Sequence, residues 1–131
     1  MKLKTIYQIS IAAVFSVAFG LSTVSAQEPK TLSADEIKKA FVGNTMDHER
    51  VYVFWAPDGT LKGQMKGRDV EDTGKYTIKD NGTYCRTWSE WRGGTEQCAR
   101  IKKAGDVYAR VVLDGTVAST FKILKGNPEG L

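Results

Sequence analysis

From Arg50 onward the apolar and aromatic residues come in short runs divided by turn chemistry at intervals of roughly 10 to 13 residues, the spacing of consecutive antiparallel strands. Pro57-Asp58-Gly59 separates VYVFW from TLKGQMKG, and Asp80-Asn81-Gly82 separates KYTIK from TYCRTWSEW. Gly93-Gly94 precedes EQCARIKK, Gly105-Asp106 precedes VYARVVL, and Asp114-Gly115 precedes TVASTFKIL. Each break supplies Gly or Asn where a tight hairpin needs a positive φ. No gap is long enough for a crossover helix, so strands adjacent in sequence should be adjacent in a meander. The pattern predicts seven strands, at 50–56, 60–66, 73–79, 83–90, 96–103, 107–113 and 116–124, with an eighth at 44–48.

A flat meander of that size would leave two long edges open to pairing with other chains, and closing it into a barrel, or curling it into a half barrel plugged by a helix, removes them. Alternation within the runs fits a sheet with one buried face. Tyr76 and Ile78 alternate with Lys75, Thr77 and Lys79, and Val107, Ala109, Val111 and Leu113 alternate with Tyr108, Arg110 and Val112. An eight-stranded barrel is just wide enough to be filled by side chains or to hold one small ligand, and both outcomes stay open. Ahead of the strands, Ser33 and Glu36 stand at capping-box spacing before Ile37 and Phe41, which predicts one short helix over 33–42. Gly43 suits a left-handed exit from it, and residues 27–32 read as a mobile lead-in.

The first 26 residues read as an export signal: Lys2 and Lys4 precede an apolar run from Ile6 to Leu21, and Val24-Ser25-Ala26 offers small residues for cleavage. The run is too short, and too soon followed by polar residues, to favour a membrane span. A single domain over 27–131 is expected, with no membrane insertion once the signal is removed. Gln27 stands where an exported lipoprotein would carry its lipidated cysteine. The expected protein is therefore a soluble monomer in the periplasm or secreted. Lys2 and Lys4 account for two of the 19 Lys and Arg, so the net charge without the signal falls from +4 to +2 (17 minus 15). That small surplus, with no basic run beyond Lys102-Lys103, argues against a nucleic-acid partner.

Cys85 and Cys98 are the two cysteines of the chain, and an oxidising destination predicts that they pair. The loop they would close contributes about 3 kcal/mol in the chain-entropy model. With His48 the lone histidine and no CxxC pair, neither a Cys/His zinc site nor a redox dithiol can be assembled, and no metal or cofactor is expected.

Several short motifs carry a resemblance. Gly43-Asn44-Thr45 follows the helix, an aromatic strand ends in Ala56-Pro57-Asp58-Gly59, and a Gly-Lys-Tyr strand precedes an Asn-Gly turn. Then come a Tyr-Cys-Arg-x-Trp segment, a returning Cys-x-x-Ile strand and Gly126-Asn127-Pro128 near the end. In that order they resemble a family of small exported proteobacterial proteins catalogued as a domain of unknown function, over about residues 33–128. The resemblance implies a periplasmic, calycin- or lipocalin-like all-β domain and supplies no catalytic residues.

The segment CRTWSEWRGGTEQC concentrates the local signal, with Trp88, Trp91, Arg86 and Arg92 held between the cysteines. Persistent alternation would set Tyr84, Arg86, Trp88 and Glu90 on one face and Cys85, Thr87, Ser89 and Trp91 on the other. The two indoles would then point oppositely, one exposed near the hairpin tip beside Arg, as a contact for a protein or ring-bearing ligand. Core or rim packing of both is the alternative, and Trp55, ending an apolar strand, reads as core. Gly59, Gly63 and Gly67 fall in a hairpin and cradle no phosphate. Asp69, Glu71 and Asp72 read as a charged hairpin turn, since they lack the order of a calcium loop. His48 beside Asp47 and Glu49 is a meagre start for acid–base work, so an enzyme is not expected. The expected function is non-enzymatic binding of a small apolar or amphipathic ligand. The alternative is a protein-contact module such as an inhibitor of a lysozyme or protease.

Overall fold

The computed structural model describes Gly20 and residues 28–131; the predicted export segment, Gly20 apart, lies outside the described residues. Chain order is β1 (Lys30–Thr31), α1 (Ala34–Phe41), β2 (Thr45–His48), β3 (Val51–Trp55), β4 (Thr60–Met65) and β5 (Glu71–Ile78). It continues with β6 (Tyr84–Trp88), a 3-10 turn (Trp91–Gly94), β7 (Gln97–Ala104), β8 (Val107–Val112) and β9 (Val117–Leu124). Strands β2 to β9 pair antiparallel in sequence order, and β9 returns to β2, so the meander closes into an eight-stranded barrel. All eight strands read from the turn spacing are present, with one short helix ahead of them. The lead-in is not the loose segment expected. Lys30 and Thr31 pair with Lys103 and Lys102 on β7, Leu32 N–H donates to Ile101 O at 2.8 Å, and the Leu32 side chain is buried.

Helix α1 starts where its cap dictates. Ser33 Oγ accepts from Glu36 N–H at 3.2 Å, the Glu36 carboxylate accepts from Ser33 N–H at 3.4 Å, and Lys30 Nζ reaches Glu36 at 3.0 Å. Asp35 and Glu36 in the first turn and Lys38 and Lys39 in the last complement the helix dipole. Ala34, Ile37 and Phe41 share the buried stripe, which closes one end of the barrel. There the interior is filled. Phe41 meets Trp55 edge-on at 4.7 Å between ring centroids and Tyr108 at 5.3 Å, and Trp55 stacks on Tyr84 at 4.5 Å. Trp55 is core, as its position in the sequence suggested.

The seam between β2 and β9 is fixed by side chains as well as by its ladder. Gly43 takes φ +80° and donates its N–H to Trp55 O at 2.7 Å, which turns the chain from α1 into β2. Asn44 Nδ2 donates to Ala40 O at 2.8 Å while its Oδ1 accepts from Gly126 N–H at 2.8 Å, and the Thr45 hydroxyl donates to Gly126 O at 2.7 Å. Asn44 and Thr45 on one side and Gly126 on the other, far apart in sequence, thus form a single clasp.

Cys85 and Cys98 stand directly opposite each other on β6 and β7, Cα atoms 4.0 Å apart, and are joined by a disulfide. Such a bond points to an oxidising, non-cytoplasmic compartment. No helix among the described residues is long and apolar enough to cross a membrane. Replacing both cysteines by alanine should lower the free energy of unfolding by about 3 kcal/mol, read from denaturant titrations, with far-UV circular dichroism unchanged. Phe41→Ala, which opens a void in the plug, should cost about 3–5 kcal/mol in the same assay.

Candidate functional site

At the end opposite α1 the barrel is not filled. Val51, Val53 and Met65 on β3 and β4 form one wall of a recess of about 370 Å³, and Trp88 and Trp91 form another. His48, Arg50, Arg86 and Arg92 add polar groups to its lining. The four residues singled out in the sequence, Arg86, Trp88, Trp91 and Arg92, therefore line one recess.

The tryptophans do not point oppositely. Strand β6 ends at Trp88, and the 3-10 turn that follows breaks the alternation, swinging Trp91 back until its ring centroid lies 4.8 Å from that of Trp88. Trp88 is only 4% exposed and Trp91 is half-buried, so neither presents a free indole at a hairpin tip. Two strand glycines make room for them. A Cβ on Gly63 would come within 2.5 Å of Trp91 Cζ3 and 2.9 Å of Trp88 Cη2, and one on Gly74 within 3.1 Å of Trp88 Cε3. Gly63 is an interior strand position kept bare for an indole pair.

Asp72 holds this arrangement in place. The sequence reading left it in a solvated turn, but β5 begins at Glu71 and buries Asp72, whose carboxylate accepts from Thr73 N–H at 2.8 Å, Glu90 N–H at 2.9 Å and Trp91 N–H at 2.8 Å. Burial pushes its pKa up, yet the N–H groups of Trp91, Glu90 and Thr73 outweigh burial and lower it from the ordinary 3.8. The loop it anchors is conformationally unusual. Arg92, at φ +58°, is the one non-glycine residue of positive φ among those described, followed by Gly93 at +64° and Gly94 at +66°. A left-handed arginine costs on the order of 1–2 kcal/mol, so the loop keeps this shape because Asp72 and the indole packing hold it.

The electrostatics of the open half are one-sided. Arg86 lies over the Trp88 ring at 5.9 Å, and its Nε donates to Gln97 Oε1 at 3.3 Å. Arg110 on β8 faces the interior and is 6% exposed, and its Nε has no hydrogen-bond partner. Burial, then the charges of Arg86 and Arg92, bring its pKa down to about 10, which leaves it cationic at neutral pH. Tyr84 is fully buried and its hydroxyl makes no well-aligned hydrogen bond; burial raises its pKa against the opposing pull of Arg86 and Arg110. His48 accepts from Arg50 N–H at Nδ1, and burial holds its pKa below 6.5, with Glu49 pulling it up and Lys66, Arg50 and Arg86 pulling it down. Asp47 is paired with Lys66, so the neighbouring carboxylate is not turned toward the imidazole.

Sequence reasoning missed Asp72, Gly63 and Arg110. Alternation in β8 did not say which set faces inward; Tyr108 and Arg110 are buried and so, past a β-bulge, is Val111, while Val107 and Leu113 are exposed. A signal existed for Arg110, a lone cation in step with an aromatic two residues before it. A larger recess, about 710 Å³, lies outside the barrel between α1 and the β3–β4 turn. Its charged groups, Asp35, Lys38, Lys39 and Asp58, are exposed and solvated, so it is a surface groove. The one group of metal-ligand types among the described residues is Cys85, Glu96 and Cys98, whose sulfurs are occupied by the disulfide.

The chain is thus a closed antiparallel β-barrel, stoppered by a helix at one end and open at the other to a cationic, tryptophan-lined recess. Comparison with protein-family models, curated proteins and solved structures finds no match to it.

Asp72→Asn should cost about 2 kcal/mol at neutral pH, because an amide offers one acceptor oxygen to three N–H donors, and should collapse the near-UV dichroism of the indole pair. A folded pKa below 3.8 means that the contribution of Asp72 is complete above 3.8 and is lost as pH falls through the lower folded value. Denaturant midpoints measured across that acid window should fall less steeply in the variant than in the native protein.

Proposed function

We propose that this protein is a non-enzymatic binding protein of the periplasm, or of another exported setting, that holds one small amphipathic molecule in the open half of its barrel. The observation that carries the reading is the recess of about 370 Å³, inside the size range of ligand sites, with apolar walls and a few polar groups on one side. Filling at the helix end supports it further, since the packed aromatic core gives the open end rigid walls on which a ligand can be recognised without reordering the barrel. The disulfide fits an oxidising compartment, as an exported carrier would require.

Catalysis has less to work with. Among the described residues His48 contacts a backbone N–H and no carboxylate, and Asp47 is engaged by Lys66, so no base with an orienting acid stands at the recess. The protein-contact alternative has less support, because Trp88 is buried and Trp91 is half-buried against it.

The test is a neutral reporter, N-phenyl-1-naphthylamine, whose emission rises in apolar surroundings. Saturable enhancement at one probe per chain, with quenching of tryptophan emission, is the expected result. Val51→Trp, which fills the recess from its wall, should weaken the probe at least about tenfold, a loss of roughly 1.4 kcal/mol. Equal binding by the native protein and a folded Val51→Trp variant would place the probe elsewhere and overturn the reading.

A further inference from the structure

The interior of the open half holds positive charge that the protein itself does not neutralise. The ion pairs among the described residues are Lys30–Glu36, Lys66–Asp47 and Lys122–Asp106, so none involves an arginine. Asp72, the one buried carboxylate among the described residues, has its oxygens occupied by three backbone N–H groups. Arg110 is nevertheless 94% withdrawn from solvent, with its Nε unpartnered, and the hydroxyl of Tyr84, close to Arg86 and Arg110, makes no well-aligned hydrogen bond. Burying a guanidinium without a counter-charge is costly, and a second cation, Arg86, sits close enough to make it costlier. A sequence folds this way at little penalty to its function if an anion completes the site. Of these groups Arg86 lines the recess, beside its apolar wall residues, while Arg110 and Tyr84 are buried close to Arg86 and outside the lining.

We infer that the molecule bound in the recess is an amphiphile with an oxyanion head group, the head received by Arg86, Arg110 and the Tyr84 hydroxyl and the apolar part lying on Val51, Met65 and the paired indoles. The inference rests on the binding reading above and adds the charge and polarity of the ligand. Guanidinium groups suit a carboxylate or phosphate because their planar N–H donors match its oxygens, and hydrogen bonds between charged partners are about twice as strong as neutral ones. A bare inorganic anion would satisfy the arginines but leave the apolar wall wet. A neutral apolar molecule would cover the wall but leave the arginines unpaired. An amphiphile of this kind meets both requirements.

The experiment uses the disulfide-intact protein and displacement of N-phenyl-1-naphthylamine by three competitors: dodecanoate, dodecanol and acetate. Dodecanoate should displace the probe at a concentration at least about tenfold below that of dodecanol, a difference of roughly 1.4 kcal/mol, and acetate should not displace it. In Arg110→Met the preference for dodecanoate over dodecanol should shrink to within about threefold while the probe itself still binds. The thermal midpoint of the ligand-free Arg110→Met variant should equal or exceed that of the native protein, since an unpaired buried charge has been removed. Arg86→Gln gives a second reading of the preference should Arg110→Met fail to fold. If dodecanol competes as well as dodecanoate against a probe that binds, the head-group assignment is wrong and the cavity reading stands. A probe that does not bind at all takes both down. Competition by acetate alone would overturn the amphiphile, and a full dodecanoate preference in both arginine variants would overturn the role of these residues.

Discussion

Everything in this fold depends on β9 finding β2. Seven of the eight barrel contacts join strands that follow each other in sequence, and each can form from a hairpin; the eighth must bring Thr45–His48 against Val117–Leu124 across the length of the domain. The ladder alone would leave that long closure to four residue pairs. Asn44 and Thr45 add three hydrogen bonds at the end of the seam, two of them to Gly126 and one back to the helix at Ala40. The same clasp therefore sets the angle at which α1 enters the barrel. Once the helix is placed, Phe41 falls among Trp55, Tyr108 and Phe121, and the aromatic core follows. Closure also removes the exposed edges that an open sheet of this size would offer to other chains.

Packing is then unequal along the barrel axis. At the helix end, large aromatic rings interlock at contact distance, and at the other end the same strands carry smaller or bare positions, Val51, Gly63 and Gly74, with two indoles laid over the glycines. The indoles are kept there by a device of charge: one buried carboxylate collects the N–H groups of the loop that carries Trp91. The recess owes its shape to Asp72 and its polarity to the arginines.

Much of the scaffold was legible in the sequence because its signals are local. Turn glycines, the Ser33–Glu36 box and the period-two runs each act over a few residues, and so the strand count and the helix could be read from them, while the Cys85–Cys98 pairing followed from there being two cysteines and an expected oxidising destination. The site was legible only as a list of residue types. Arg86, Trp88, Trp91 and Arg92 stood out by density, but their mutual arrangement depends on a left-handed turn at Arg92, for which arginine gives no warning, and on an aspartate 18 residues upstream of Glu90. Gly63 was placed inside a strand, but its purpose was invisible, because a bare strand position shows its use only when the neighbouring indoles are in place. Arg110 was hidden for a related reason. Alternation gives two faces, and only the β-bulge and closure between β8 and β9 decide that the face bearing a cation turns inward.

The clasp at Gly126 also bears on the order in which the barrel can assemble. The Asn44 side chain finds Ala40 within its own segment but meets Gly126 only across the whole meander, so the hairpins from β3 to β8 can assemble while the cylinder stays unsealed. Contacts of such long sequence separation form slowly, and until they do the two strands destined for the seam are bare templates. Gly126 is in that sense a timing element: each hairpin can form without it, but the seam that closes them into a cylinder is locked only when it arrives.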